Sequence, residues 1–135
     1  MEKRFVLATH GKFAEGIYDS LKIIMGEQPD FTTLCAYTTN ENIEFQIEKI
    51  INDLEGFEII IITDVFGGSV NNCFMKYIEK DNIHLITGLN LPLLMEIVCN
   101  KYLPVEEMIE KSIESATKAF KYCKHLDYSA LSDDF

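Results

Sequence analysis

Basic residues are scarce in this chain of 135 residues: 12 Lys and Arg stand against 22 Asp and Glu, a formal net charge of −10. Holding a phosphate backbone needs a surplus of cations, so DNA and RNA are excluded as partners bound by general electrostatics. The same shortage weighs against an anionic membrane surface. Glycine and proline are also few, 7 and 3, while 47% of the residues are apolar, which excludes an intrinsically disordered chain. No apolar run approaches the roughly 18 residues of a membrane span, and the apolar stretch within MEKRFVLATHGKF is too short for a signal-peptide core. Paired cysteines are missing as well. Cys35, Cys73, Cys99 and Cys123 are scattered singly, without a CxxC motif, and read as small core hydrophobes in a reducing compartment. The expectation is one cytoplasmic, soluble domain over residues 1–135, with neither cofactor nor metal, that meets small molecules or other proteins.

What the chain does have is an alternation of two kinds of apolar segment. Short runs occur at Phe5-Val6-Leu7-Ala8, Phe31-Thr32-Thr33-Leu34, Ile59-Ile60-Ile61-Ile62 and Ile83-His84-Leu85-Ile86, which suit strands covered on both faces. Between them lie segments with helical spacing. Phe13, Ile17, Leu21 and Ile24 form one stripe, stopped at Gly26. Ile43, Ile47, Ile50, Ile51 and Leu54 form a second, with Thr39 and Asn40 as cap candidates and Gly56 after it. Phe74, Tyr77 and Ile78 mark a short third helix, Asn90-Leu91-Pro92 opens a fourth, and a fifth stripe runs from Val105 to Phe120. The methionines at helical positions read as core filler. Strand then helix, repeated, predicts an α/β fold: a doubly wound, mostly parallel sheet of about four strands with flanking helices. The polar tail, 125–135, is either a frayed terminus or a short edge strand.

In such sheets ligands bind beyond the carboxyl ends of the strands, near the reversal of strand order. Two strand ends carry unusual residues there: Ala8-Thr9-His10-Gly11 and Thr63-Asp64-Val65-Phe66-Gly67-Gly68-Ser69. A neutral imidazole keeps one free nitrogen near neutral pH and is a nucleophile. A lone histidine is more often a strand-end cap, but Gly11 removes a side chain beside this one. Asp64, coming from another strand, is placed to fix its tautomer and stabilise a cationic ring. The two glycines permit a turn that exposes successive amides ahead of a helix, a cradle for an oxyanion, and Ser69 adds a hydroxyl. Read without His10, the same turn is a strand-to-helix connection with Ser69 as an N-cap. His84 falls inside a strand and reads as a core or edge residue, His125 as solvated, and Lys12 and Glu15 as surface positions.

A histidine nucleophile, an orienting aspartate and an amide cradle describe phosphohistidine chemistry. The strings from Ala8 to Gly16, from Thr63 to Ser69 and Gly88-Leu89-Asn90-Leu91-Pro92 together resemble the mannose-type enzyme IIA component of the bacterial phosphotransferase system, over Arg4 to about Tyr122. The resemblance implies that His10 takes a phosphoryl group from the carrier protein HPr and passes it to the IIB component, and through it serves the membrane IIC and IID components. It implies Asp64 as the aspartate beside His10, the turn Phe66-Gly67-Gly68-Ser69 as the phosphate cradle, and Thr9, Gly11 and Asn90 as lining residues. A homodimer that exchanges the 125–135 tail as an edge strand is implied too. Val70 departs from the family's GGSP, where proline pre-organises the helix start. Three rival readings stand beside it: a histidine phosphatase or mutase, which would place Arg where Thr9 stands; the phosphotransferase subunit that feeds dihydroxyacetone kinase; and a non-catalytic domain that senses phosphorylation. The acidic balance suits a docking partner with a basic face.

Overall fold

The computed structural model describes residues 1–127 and 129 of the chain. Four strands, β1 (Lys3–His10), β2 (Phe31–Ala36), β3 (Glu58–Thr63) and β4 (Ile83–Thr87), pair throughout in parallel, in the order β2-β1-β3-β4. The expected α/β fold with a four-stranded parallel sheet is therefore present. The chain moves outward from β1 to β2, returns to the other side of β1 for β3, and continues to β4. The strand order thus reverses between β1 and β3, and their carboxyl ends, His10 and Thr63, frame the opening that this reversal creates. Across β1 and β2, His10 lies opposite Ala36, so the end of β2 reaches the same opening.

Contacts divide the chain into two compact units, one from Met1 to Leu91 and one from Pro92 onward. The first holds the whole sheet with α1 (Phe13–Met25), α2 (Ile43–Asp53) and α3 (Ser69–Phe74). Alternation along the strands separates two faces. Val6, Ala8, Ile59 and Ile61 pack with Ile47 and Ile51 of α2 and with Val70 and Phe74 of α3, all buried. The intervening Phe5 stacks on Phe31, which Tyr18 of α1 meets at 6.3 Å between ring centroids. Helices thus cover both faces, and the long isoleucine run of β3 is apolar because neither face is wet. Val70, where the family pattern has proline, is fully buried in this core. In the second unit, α4 (Leu91–Cys99) buries Leu93, Leu94 and Ile97, and α5 (Val105–Thr117) buries Met108, Ser112 and Ala116. The Asn100 side-chain amide donates to Ser112 Oγ at 3.1 Å.

Several local expectations are corrected. The cap of α2 is Asn42, whose side chain accepts from the Phe45 amide, whereas Thr39 accepts from Glu41. Helix α5 ends at Thr117, leaving Phe120 exposed, and Phe13 is exposed while Ala14 takes the buried place in the first turn of α1. None of the four cysteines is buried. Of Met25, Met75, Met95 and Met108, only Met108 is fully buried. Two other expectations hold: His84 lies on edge strand β4, where it pairs with Glu58, and His125 is exposed in a short 3-10 turn, Cys123–His125. The expected exchangeable strand at 125–135 lies largely outside the described residues. Among those described, no helix is long and apolar enough to cross a membrane.

Candidate functional site

Three strand ends converge on one imidazole. Asp64 follows the last residue of β3, and its Oδ2 accepts two hydrogen bonds from His10, one from the backbone amide and one from ring Nδ1, both at 2.9 Å. Its Oδ1 accepts from the Val65 amide at 3.1 Å. The carboxylate is held from both sides and only 9% of its side chain is exposed, against 45% for the imidazole. Burial pushes the Asp64 carboxyl up. The amide and ring hydrogen bonds from His10, the attraction of the ring, and a further backbone amide together outweigh that, and the carboxyl sits below its usual range. An ionised carboxylate only accepts, so Nδ1 carries a proton, and in the neutral ring Nε2 keeps a lone pair.

Nε2 is the accessible nitrogen, and Ser69 Oγ lies 3.3 Å from it. Ser69 is the first residue of α3 rather than its cap; Gly68 holds that place with an extended backbone. The turn between β3 and α3 closes through the Gly68 amide on the Val65 carbonyl at 3.2 Å. That amide is consequently committed, and the donors for an anion include the Ser69 hydroxyl and the amides that open α3, which have no acceptor inside the helix. Both glycines are structural requirements here. Gly67 has φ +77°, in the region that side chains rarely adopt, and a Cβ on Gly68 would stand 3.3 Å from His10 Cε1 and from the Val65 carbonyl. Asn72 steadies the turn by donating from its side chain to the Gly67 carbonyl. Phe66 projects outward, 78% exposed, at the rim.

The remaining expected residues divide. Gly11, next to the ring, donates its amide to the Ala36 carbonyl at 2.9 Å and ties the His10 loop to the end of β2. Thr9 is fully buried and points the other way: its hydroxyl accepts from the Ala14 amide at 2.8 Å, capping the start of α1 from outside the helix. Its hydroxyl therefore serves the helix and not the ring. Asn90 bonds back to the Gly88 carbonyl and borders an apolar groove with Phe13, Ile17 and Leu89. One residue escaped the sequence reading. Tyr37, just past β2, brings its hydroxyl to 2.7 Å from Ser69 Oγ and its ring to 5.7 Å from the imidazole. The clue available was position alone, a polar-tipped aromatic at the end of the strand beside β1. Among the described residues no group of three or more His, Cys, Asp or Glu is placed to hold a metal. Chemically, the arrangement is a nucleophilic nitrogen backed by a fixed carboxylate and faced by hydrogen-bond donors.

Comparison with known proteins places this geometry. A family model, EIIA-man, described as PTS system fructose IIA component, matches residues 4–117. A crystal structure from Klebsiella pneumoniae, described as a phosphoenolpyruvate-dependent sugar phosphotransferase system permease, is 35% identical and superposes with a TM-score of 0.88, covering 93% of either chain. The fructose-specific EIIA component of Bacillus subtilis is 25% identical over 129 residues, 90% of this chain and 88% of that one. The mannose-specific EIIAB component of Escherichia coli is 25% identical over 126 residues; the match spans 88% of this chain but 39% of the larger protein.

Proposed function

The chain belongs to the EIIA-man family of phosphotransferase-system IIA components, and on that premise we propose that His10 is its phosphoryl carrier, loaded by phosphorylated HPr and unloaded onto the IIB component of a sugar transporter. The observation that carries the proposal is the ring's hydrogen bonding: Nδ1 faces Asp64 at 2.9 Å while Nε2 stands open beside Ser69. Nε2 attacks the phosphorus of the donor's phosphohistidine. As the new N–P bond forms, the donor's N–P bond breaks and its electron pair returns to the donor ring nitrogen. Positive charge then grows on the His10 ring next to the ionised Asp64, which stabilises it. The Ser69 hydroxyl, released from Nε2, turns to a phosphoryl oxygen, and the amides opening α3 share that oxygen charge. Transfer to IIB is the same step in reverse with a new partner.

The acidic surface suits a donor with a basic face, and the phosphoryl group arrives on a protein rather than as a free anion that the net charge would repel. The family match runs through both units of the chain, which supports treating 1–135 as one IIA domain. A cytoplasmic location, a homodimer, and coupling through IIB to IIC and IID belong to the same proposal. Incubation with phosphoenolpyruvate, enzyme I and HPr is expected to give one acid-labile, base-stable phosphate, absent from His10→Ala. Phosphate that persists in His10→Ala refutes the assignment.

A further inference from the structure

Tyr37 has a backbone that its side chain does not favour. Its φ is +66°, and among the described residues no other non-glycine residue has a positive φ. The left-handed region is uncommon for bulky residues, and surrounding structure must hold them there. Here the holding contacts are visible. The Ala36 carbonyl accepts from the Gly11 amide at 2.9 Å, and the Thr38 hydroxyl donates to the Cys35 carbonyl at 2.8 Å. The effect of the turn is to carry the Tyr37 hydroxyl across to Ser69 on a different strand-helix connection, 2.7 Å from Oγ.

With the His10 ring neutral, as a nucleophile must be, the protons along this chain of groups have one consistent arrangement. Asp64 accepts, so His10 Nδ1 donates; Nε2 is then bare, so the Ser69 hydroxyl donates to it. Having given its only proton to Nε2, Ser69 Oγ accepts from the Tyr37 hydroxyl. The Ser69–Nε2 separation of 3.3 Å is long for such a bond, whereas the Tyr37–Ser69 separation is short. A serine rotor bonded only to Nε2 would be free to swing toward solvent. We propose that Tyr37 is a positioning residue: it fixes the Ser69 rotor as a donor aimed at Nε2, and so at the oxygens of a phosphoryl group carried there. The kinetic part of this inference rests on the carrier reading of His10; the part concerning ring and rotor does not.

Tyr37→Phe keeps the ring and removes the hydroxyl. With ¹⁵N-labelled protein and no phosphoryl donor, the His10 Nε2 signal is expected to move downfield as its donor is loosened, with Nδ1 nearly unchanged. In the presence of phosphorylated HPr, the initial rate of phosphorylation is expected to fall about three- to tenfold, the size of one neutral hydrogen bond. In a Ser69→Ala background the same substitution is expected to change the rate less than twofold, because the group it acts through is gone. A merely structural tyrosine would slow both backgrounds alike. Equal slowing in the two backgrounds, or an unmoved Nε2 signal in Tyr37→Phe, overturns the proposal. Failure of wild-type protein to take phosphate would instead count against the carrier reading and leave the ¹⁵N result standing. Should Tyr37→Phe not fold, Tyr37→Asn also removes the hydroxyl and suits the left-handed backbone better.

Discussion

Replacing Asp64 by asparagine separates the chemistry of the site from its folding. The carboxylate accepts three hydrogen bonds, two on Oδ2 from the His10 amide and Nδ1 and one on Oδ1 from the Val65 amide. All three partners are N–H donors, and an asparagine has only one oxygen. Its best orientation keeps that oxygen toward His10 and sets its NH₂ against the Val65 amide, losing one bond and costing about 1–2 kcal/mol of stability. The effect on transfer is larger. A hydrogen bond to a charged group contributes about 1.5–3 kcal/mol, and Asp64→Asn loses the charge as the ring becomes cationic, so phosphorylation is expected to slow roughly 10- to 150-fold. The opposite orientation directs NH₂ at Nδ1, moves the ring proton to Nε2 and removes the nucleophile. Rapid-quench measurement of phosphate transfer from phosphorylated HPr, beside thermal unfolding, gives both quantities. The pH dependence supplies a second arm. The Asp64 carboxyl is held below its unfolded value of about 3.9, so its stabilisation is present above that pH and lost as pH falls through the lower folded value. Asp64→Asn should lack this part of the acid limb. A folded Asp64→Asn protein that transfers within twofold of wild type would refute the role given to the carboxylate.

Two further outcomes follow from the geometry. Gly68→Ala places a methyl 3.3 Å from both His10 Cε1 and the Val65 carbonyl oxygen, at a backbone φ of −70° that alanine tolerates. The half-exposed ring and the turn are both expected to shift, so transfer falls several-fold and the unfolding midpoint drops; unchanged transfer kinetics would mean that the ring position is not critical. Thr9→Val leaves the Ala14 amide without its acceptor in a fully buried setting and is expected to cost about 1–3 kcal/mol. Chemical denaturation measures that loss, and a change under 0.5 kcal/mol would contradict the capping role.

The centres of all four strands were legible as short apolar or β-branched runs, but coverage on both faces, expected for each, fails at edge strand β2, where Thr32 and Thr33 are exposed. The end of β1 was read at Ala8-Thr9-His10-Gly11, but that of β2 was not: Cys35-Ala36 completes β2 by pairing with Thr9-His10, which no local pattern encodes. Tyr37 was missed for the same reason: its φ of +66° and its reach to Ser69 exist only once β2 is in register beside β1. His10, Asp64 and Ser69 were legible because the strand-end rule locates a crevice and these residue types there supply a nucleophile, its orienting carboxylate and a donor. Thr9 was expected to line that crevice, but alternation along the strand turns it to the opposite face, under α1. Phe13 and Phe120 were read as core from helical spacing alone. Spacing identifies a stripe and does not say whether anything lies against its ends.

One atom, His10 Nε2, carries the phosphoryl group in the proposed relay. The direct test is ³¹P–¹⁵N NMR of the protein labelled in its histidines and phosphorylated by HPr. A coupling between the phosphoryl group and Nε2, with Nδ1 still protonated toward Asp64, is the predicted result. Phosphorus coupled to Nδ1, or carried as an ester on Ser69 or Tyr37, would contradict it.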